Sequence, residues 1–231
     1  MAKKEDYSKI FKKEDLKGPI IKKIMRRISI PISLFLAKYT SITPNQVTFF
    51  TTTLSFIAGY FFYLGEYKFL IIGALIFLLR FILDYVDGSL ARTKNMASDY
   101  GHWLDNASDE LGKFIVFLTF SLGVYNITGN QWAILLGFIS FSGYILNSLT
   151  YNMFWRFFPF AEKVVETEKG KRKYLKQFFF IDPLITILIL IAAFTNQIYL
   201  FLLITSIYSW VFVIGQFVVL SMKIIKYEKK K

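Results

Sequence analysis

The sequence predicts an all-α integral membrane protein with six transmembrane helices and an N-terminal amphipathic helix on the cytoplasmic surface of the bilayer. The chain of 231 residues is 55% hydrophobic, and its apolar residues fall in long runs. Its net charge of +12 is carried mainly between those runs, which distinguishes it from both soluble domains and disordered chains. The absence of cysteine and the single histidine, His102, exclude thiolate and multi-histidine metal sites.

Six apolar segments account for the predicted spans, since a bilayer requires roughly 20 mostly apolar residues per helix. Four of them are clear runs. The third in chain order is apolar only in its second half, because acidic residues occupy its first two turns. The fifth is short and contains Asp182-Pro183 near its start. In chain order the segments are 47–64, 69–83, 104–125, 132–154, 178–194 and 198–222.

The basic residues predict how these spans are oriented. With six spans, 25 of the 28 lysines and arginines face one side of the membrane, in residues 1–40, two connecting loops and the tail 223–231. The loops on the other side hold only Lys68. Because cytoplasmic loops carry an excess of basic residues, both termini are expected in the cytoplasm. The predicted organisation is a basic arm (1–40), a six-span domain (41–222) and the basic tail.

The basic arm predicts an interfacial helix over about residues 19–30. Pro19 suits a first helical turn, and Pro31 is expected to end the helix. Apolar and basic residues fall on opposite helix faces: Ile20, Ile21, Ile24, Met25 and Ile28 against Lys22, Lys23, Arg26 and Arg27. Such a helix binds an anionic membrane surface. A plain basic anchor without fixed geometry is the alternative.

Four aspartates at the cytoplasmic ends of the second and third spans are the most informative feature of the sequence. Asp84 and Asp87 share one helix face, and Asp105 and Asp109 share a face of the next helix. Four carboxylates directed at one another require compensating cations. Oxygen ligands without His or Cys favour Mg²⁺ or Mn²⁺, predicted here as a pair of ions. With adjacent small residues and Arg92, such a site suits phosphoryl transfer.

The residues around the aspartates match a family signature at every fixed position. The signature is D-x2-D-G-x2-A-R-x8-G-x3-D-x3-D, and its fixed positions are occupied by Asp84, Asp87, Gly88, Ala91, Arg92, Gly101, Asp105 and Asp109. The chain thereby resembles the CDP-alcohol phosphotransferases, also called CDP-alcohol phosphatidyltransferases. The clear resemblance extends over about residues 24–125.

The resemblance implies an enzyme of phospholipid synthesis. A CDP-linked lipid binds with its diphosphate on the metal ions, a small alcohol attacks the phosphorus next to the lipid, and CMP leaves. The resemblance implies that all four aspartates contact the metals and that Asp109 is also the general base. The implied nucleotide-binding positions are Gly88, Ala91, Arg92 and Gly101. A homodimer is implied as well, and no nucleic-acid partner is expected.

Three further residues and the acceptor are left open by the sequence. Asn45, Arg80 and Lys113 are possible substrate contacts, but the two cations are equally counter-charges to the aspartates or snorkelling side chains. Asn45 also belongs to an ordinary helix start.

The acceptor is inositol phosphate, glycerol phosphate or another small alcohol, and the sequence slightly favours sugar-alcohol phosphates over the others. Glu110 stands where many members with phosphorylated acceptors have a basic residue.

Two other classes of protein compete with this interpretation. An intramembrane prenyltransferase also uses paired aspartate motifs with Mg²⁺, but its motifs usually lie far apart in a longer chain. A cation transporter with an acidic ring requires polar residues along the bilayer midplane. The acids of this chain instead cluster at one end of two consecutive spans.

Overall fold

A computed structural model describes residues 20–158 and 181–228 of the protein. These ranges contain seven helices and no β-strand. The helices, in chain order, are α1 (Ile20–Tyr39), α2 (Pro44–Leu64), α3 (Tyr67–Thr93), α4 (Asp99–Thr128), α5 (Trp132–Phe157), α6 (Ile181–Phe194) and α7 (Ile198–Glu228). Four predicted features lie wholly or partly outside the described residues: the arm before residue 20, most of the basic loop at 155–177, the start of the fifth span and the end of the tail.

Five of the described helices are long and apolar enough to cross a bilayer, namely α2, α3, α4, α5 and α7. Helix α6 is apolar but contains only 14 residues, so it is shorter than the length that a span requires. Five of the six predicted spans therefore have the expected length within the described ranges.

Helix α1 does not end at Pro31, as the sequence predicted, but continues through it. Proline lacks the N–H that would bond to the carbonyl oxygen of Arg27. The helix after the proline is held by Ser33, whose Oγ lies 2.7 Å from the Ser29 carbonyl oxygen and 3.1 Å from that of Val86 in α3. Both serines are buried. Docking of α1 on α3 thus compensates for the missing backbone bond.

Aromatic rings and close helix crossings form the core. The rings of Phe62 (α2) and Phe120 (α4) lie 4.1 Å apart, and Phe120 also contacts Phe201 of α7 at 5.4 Å. Gly73 lets α3 approach this core, because a Cβ there would lie 2.6 Å from Phe62 Cε1. Small residues that let two helices approach closely improve their packing and are enriched at helix contacts in membranes.

The start of α2, the end of α3 and the start of α4 lie together around the α3–α4 connection. Thr43 starts α2 with a capping box, in which its Oγ1 accepts from Gln46 N and its own N–H donates to the Gln46 side chain. Ser98 caps α4 by accepting from Gly101 N at 3.1 Å. The connection between α3 and α4 is shorter than the predicted 92–103, because both helices extend into it.

Candidate active site

Three of the four aspartates converge where the ends of α3 and α4 meet. Asp84, Asp87 and Asp105 each offer a carboxylate oxygen, and these oxygens lie within 4.8 Å of one another. Asp87 is buried, with 4% of its surface exposed. Its Oδ2 accepts a hydrogen bond of 2.7 Å from Thr48 Oγ1 in α2. This bond fixes one carboxylate of the cluster from a third helix.

Asp109 lies one turn further along α4 and is not part of this group of three. Its carboxylate pairs with the guanidinium of Arg80 in α3. The same Arg80 nitrogen, Nη2, lies 3.7 Å from Asp84 Oδ1. Arg80 therefore forms ion pairs with two of the aspartates, and its role as a substrate contact stays a prediction.

The predicted nucleotide positions border the aspartate cluster. Gly101 faces Asn45 of α2, because a Cβ at residue 101 would lie 3.3 Å from Asn45 Oδ1. Arg92 is exposed and donates to Ser89 Oγ at 3.2 Å. A Cβ at Gly88 would lie 3.6 Å from Arg92 Nη1, so that glycine keeps the backbone beside the guanidinium accessible. Asn45 is thereby adjacent to the signature positions although it lies outside the signature.

Lys113 lies one turn beyond Asp109 on α4 and is 7% exposed. Its Nζ is 3.9 Å from Glu110 Oε1 and 4.6 Å from the centre of the Tyr144 ring in α5. Ser148 of α5 donates to Glu110 Oε1 at 2.9 Å. Lys113 thus interacts with Glu110 and an aromatic face at the α4–α5 contact, one helical turn from Asp109.

The hydroxyl residues of α2 are site residues that sequence reasoning missed. Thr48 contacts Asp87, and Thr52, one turn later, hydrogen-bonds Ser108 of α4. Ser55 is buried next to the position that a Cβ at Gly112 would take, 3.1 Å away. These three hydroxyls recur at i, i+4 and i+7, whereas Thr51 and Thr53 of the same span fall outside that spacing. That periodicity was the available signal that one face of α2 contacts something polar.

The convergent carboxylates fit a hard divalent cation. Oxygen ligands of one Mg²⁺ lie about 2.0–2.1 Å from it, so two of them are at most about 4.2 Å apart. The observed spread of up to 4.8 Å therefore requires only a small adjustment to hold an ion. The donor set contains carboxylate oxygens alone, which is the chemistry that Mg²⁺ and Mn²⁺ prefer.

Comparison with known proteins places the chain in a family. Residues 41–220 match the family model described as CDP-alcohol phosphatidyltransferase. The chain belongs to this family, and it is an integral membrane protein with several spans.

Individual relatives are similar over part of the chain. An archaetidylinositol phosphate synthase from Pyrococcus horikoshii is 34% identical over 82 residues, which are 36% of this chain and 42% of the relative. A bifunctional IPC transferase and DIPP synthase from Aquifex aeolicus is 32% identical over 97 residues, 42% of this chain and 21% of the relative. An uncharacterized protein of the same organism is 33% identical over 111 residues, 48% of this chain and 54% of the relative. The aligned chain thus spans about half or less of the length of these relatives.

Solved structures share the fold. The crystal structure of Mycobacterium tuberculosis phosphatidylinositol phosphate synthase with CDP-DAG bound superimposes with a TM-score of 0.58 at 19% identity, covering 86% of this chain and 92% of that protein. The same synthase in complex with manganese and citrate gives a TM-score of 0.54 at 19% identity, over 80% of this chain and 88% of that protein.

Proposed function

We propose that the protein transfers a lipid-phosphate group from a CDP-linked lipid to a small alcohol, with release of CMP. The observation that carries this proposal is the convergence of Asp84, Asp87 and Asp105, with Asp109 adjacent, in the spacing of the family signature. Family membership supports it, as does the CDP-DAG bound to the synthase of similar fold.

The four aspartates are the proposed ligands of two divalent ions, Mg²⁺ or Mn²⁺. Bound there, the ions would neutralise the diphosphate and favour attack at phosphorus. Asp109 takes the proton of the acceptor hydroxyl as the new oxygen–phosphorus bond forms and the bond to CMP breaks. Thr48 holds Asp87 in place through its hydrogen bond. Gly88, Ala91, Arg92, Gly101 and Asn45 line the proposed nucleotide site.

Product analysis tests the reaction class. Purified protein in lipid vesicles should release CMP from a CDP-linked lipid in the presence of Mg²⁺ and an acceptor, and excess EDTA should abolish the release. Asp84→Asn should be inactive, whereas Asp99→Asn, an exposed acid in the first turn of α4, should retain activity. Consumption of an isoprenoid diphosphate without CMP release would indicate a prenyltransferase. Cation flux with neither reaction would indicate a transporter.

We also propose a sugar-alcohol phosphate as the acceptor. The activities of two similar proteins support it, because one is an archaetidylinositol phosphate synthase and the other a phosphatidylinositol phosphate synthase. Incubation with a radiolabelled CDP-lipid and a panel of inositol phosphate, glycerol phosphate, serine and unphosphorylated polyols tests this assignment. The lipid product that appears at the lowest acceptor concentration identifies the acceptor.

The proposed topology has six spans, with α6 as the fifth, and with the active site and both termini in the cytoplasm. The bias of basic residues to one side supports it. Helix α1 is proposed to lie on the membrane surface, supported by the exposure of Ile24 and Ile28 on a face away from its contact with α3. Labelling of introduced cysteines by an impermeant reagent tests the sidedness.

A homodimer is proposed from the family resemblance. Chemical cross-linking in native membranes, followed by denaturing electrophoresis, tests it. A cross-linked species of twice the chain mass is the expected product, and cross-linking that yields only monomer would contradict the proposal.

A further inference from the structure

Arg80 is a buried cation of α3 that touches two of the four aspartates. Its side chain is 5% exposed. Nη2 pairs with Asp109 of α4 and lies 3.7 Å from Asp84, one turn further along α3. The guanidinium carbon is 5.7 Å from the centre of the Phe77 ring. A charge buried in a membrane span is costly unless it is paired. The ion pairs therefore stabilise the buried guanidinium as well as the two carboxylates.

The surroundings of the guanidinium are shaped to admit it. Gly112 of α4 faces Arg80, and a Cβ at that position would lie 3.5 Å from Nη2 and 3.6 Å from Cζ. The absence of a side chain at residue 112 leaves the space between α3 and α4 to the arginine. Ser55 of α2 closes the same space from the third helix.

The position of Arg80 has an electrostatic consequence for a bound cation. The guanidinium contacts Asp84, which belongs to the convergent group of three, and Asp109, which does not. In metal-free protein, its positive charge reduces the repulsion among the aspartates. A divalent ion held by Asp84, Asp87 and Asp105 would be attracted by the same carboxylates and repelled by the guanidinium.

We propose that Arg80 is a positioning residue with two effects: it holds Asp109 on the α3 side of the site, and it serves as the built-in counter-cation of the aspartates before metal binds. Arg80 therefore stabilises the metal-free protein and weakens metal binding. The proposal rests on the metal site of the proposed function, but it does not depend on the identity of the acceptor.

The test compares Arg80→Gln with wild type in detergent, without substrate. Removal of the cation should lower the melting temperature of the protein in EDTA by about 3 °C or more. It should also raise the affinity for Mn²⁺, measured by electron paramagnetic resonance of the free ion, by about tenfold. The stabilisation that Mn²⁺ confers on the variant should therefore exceed the stabilisation that it confers on wild type.

Two further variants keep the test specific. Arg80→Lys retains the charge without the planar fork, and it should restore most of the wild-type Mn²⁺ affinity. Lys113→Gln removes another buried cation of the described spans, one whose ion pair is with Glu110. Its Mn²⁺ affinity should differ from that of wild type by less than about threefold, because the removed charge is further from the cluster.

The outcomes separate this proposal from the proposed function. If Arg80→Gln loses equal stability with and without Mn²⁺ and its Mn²⁺ affinity is unchanged or weaker, Arg80 is only a packing residue and the proposal is wrong. If Arg80→Gln does not fold, the proposal rests on Arg80→Lys, and weakened or tightened Mn²⁺ binding by about tenfold in that charge-retaining variant overturns it. A wild-type protein that binds no Mn²⁺ overturns the proposed metal site together with this inference.

Discussion

At the scale of single residues, the site depends on partners that come from other helices. Asp87 is oriented by Thr48 of α2, Asp109 by Arg80 of α3, and Glu110 by Ser148 of α5. Hydrogen bonds to a charged group contribute about 1.5–3 kcal/mol, which exceeds the contribution of neutral pairs. The geometry of the carboxylates is therefore set across three helix contacts.

Thr48→Val tests the orientation of Asp87. Valine has nearly the shape of threonine but no hydroxyl, so Asp87 loses a donor while packing is kept. We expect the Mg²⁺ concentration for half-maximal activity to rise about tenfold, in line with the loss of a charged hydrogen bond. Thr53→Val is the matched control, because Thr53 lies on the exposed side of α2 and bonds only to its own helix at Phe49 O. An unchanged metal requirement in Thr48→Val would show that this bond does not matter for the site.

Glu110→Gln tests the pairing with Lys113. The substitution removes the negative charge 3.9 Å from Lys113 Nζ and leaves an amide that still accepts from Ser148. If the acceptor carries a phosphate and binds beside Asp109, its KM should fall about threefold or more, while the KM for an unphosphorylated polyol stays constant. Ser148→Ala, which leaves the charge in place, should not produce this difference. Parallel changes for both acceptors would place acceptor binding elsewhere.

At the scale of elements, close helix crossings determine how α2, α3 and α4 align their polar residues. Gly123 of α4 packs directly on the end of α2. A Cβ at residue 123 would clash with the Phe62 carbonyl oxygen. Gly65 ends α2 in the left-handed conformation, with φ of 74°. Both positions require glycine, because a side chain would separate the helices or strain the turn.

Gly123→Ala should separate α2 from α4 and destabilise the protein. We expect the melting temperature to fall by about 5 °C or more, because the clash is with backbone and cannot be relieved by a rotamer change. Gly215→Ala is the control, since a Cβ at residue 215 of α7 meets nothing within 4 Å. In that control the replacement of glycine within a helix should be neutral or stabilising by up to about 1 kcal/mol. Equal melting temperatures for the two variants would contradict this account of the packing.

The elements and the acidic residues could be predicted from sequence, but their lateral contacts could not. Hydropathy and the fixed spacing around Asp84 and Asp105 are properties of short stretches of sequence. The long apolar helices and the pairing of α3 with α4 could therefore be predicted. The continuation of α1 through Pro31 depends on the contact between Ser33 and Val86, which are 53 residues apart. The placement of Arg80 against Asp109 likewise needs two helices in register, which no local pattern specifies.

At the scale of the whole molecule, the polar residues form a site at one end of an apolar bundle. The aspartates lie near the α3–α4 connection, and the predicted topology places that connection in the cytoplasm. A lipid-linked substrate would enter from the bilayer, and a water-soluble acceptor from the cytoplasm. The sidedness of the loops is therefore a functional property, because it decides which water-soluble alcohols can reach Asp109.

Single cysteines introduced on the two sides test this sidedness, and the chain contains no native cysteine to interfere. In spheroplasts, an impermeant maleimide should label Gln131→Cys, in the turn between α4 and α5, and should leave Met96→Cys unlabelled. Both residues are exposed. Permeabilisation should then make Met96→Cys reactive, which confirms that the side chain is accessible. The opposite pattern would invert the topology and place the active site outside the cytoplasm.

We propose that Asp84, Asp87 and Asp105 supply most of the binding of metal and substrate, whereas Asp109, which is also a proposed metal ligand, takes the acceptor proton. The most direct measurement determines Mn²⁺ affinity, CDP-lipid binding and CMP release on one purified preparation of Asp109→Asn. We predict that the variant keeps most of the binding and loses about 10²–10⁴-fold in turnover, the usual effect of removing a general base. Loss of metal binding, CDP-lipid binding and turnover together would make Asp109 principally a metal ligand, and turnover at the wild-type rate would contradict the mechanism.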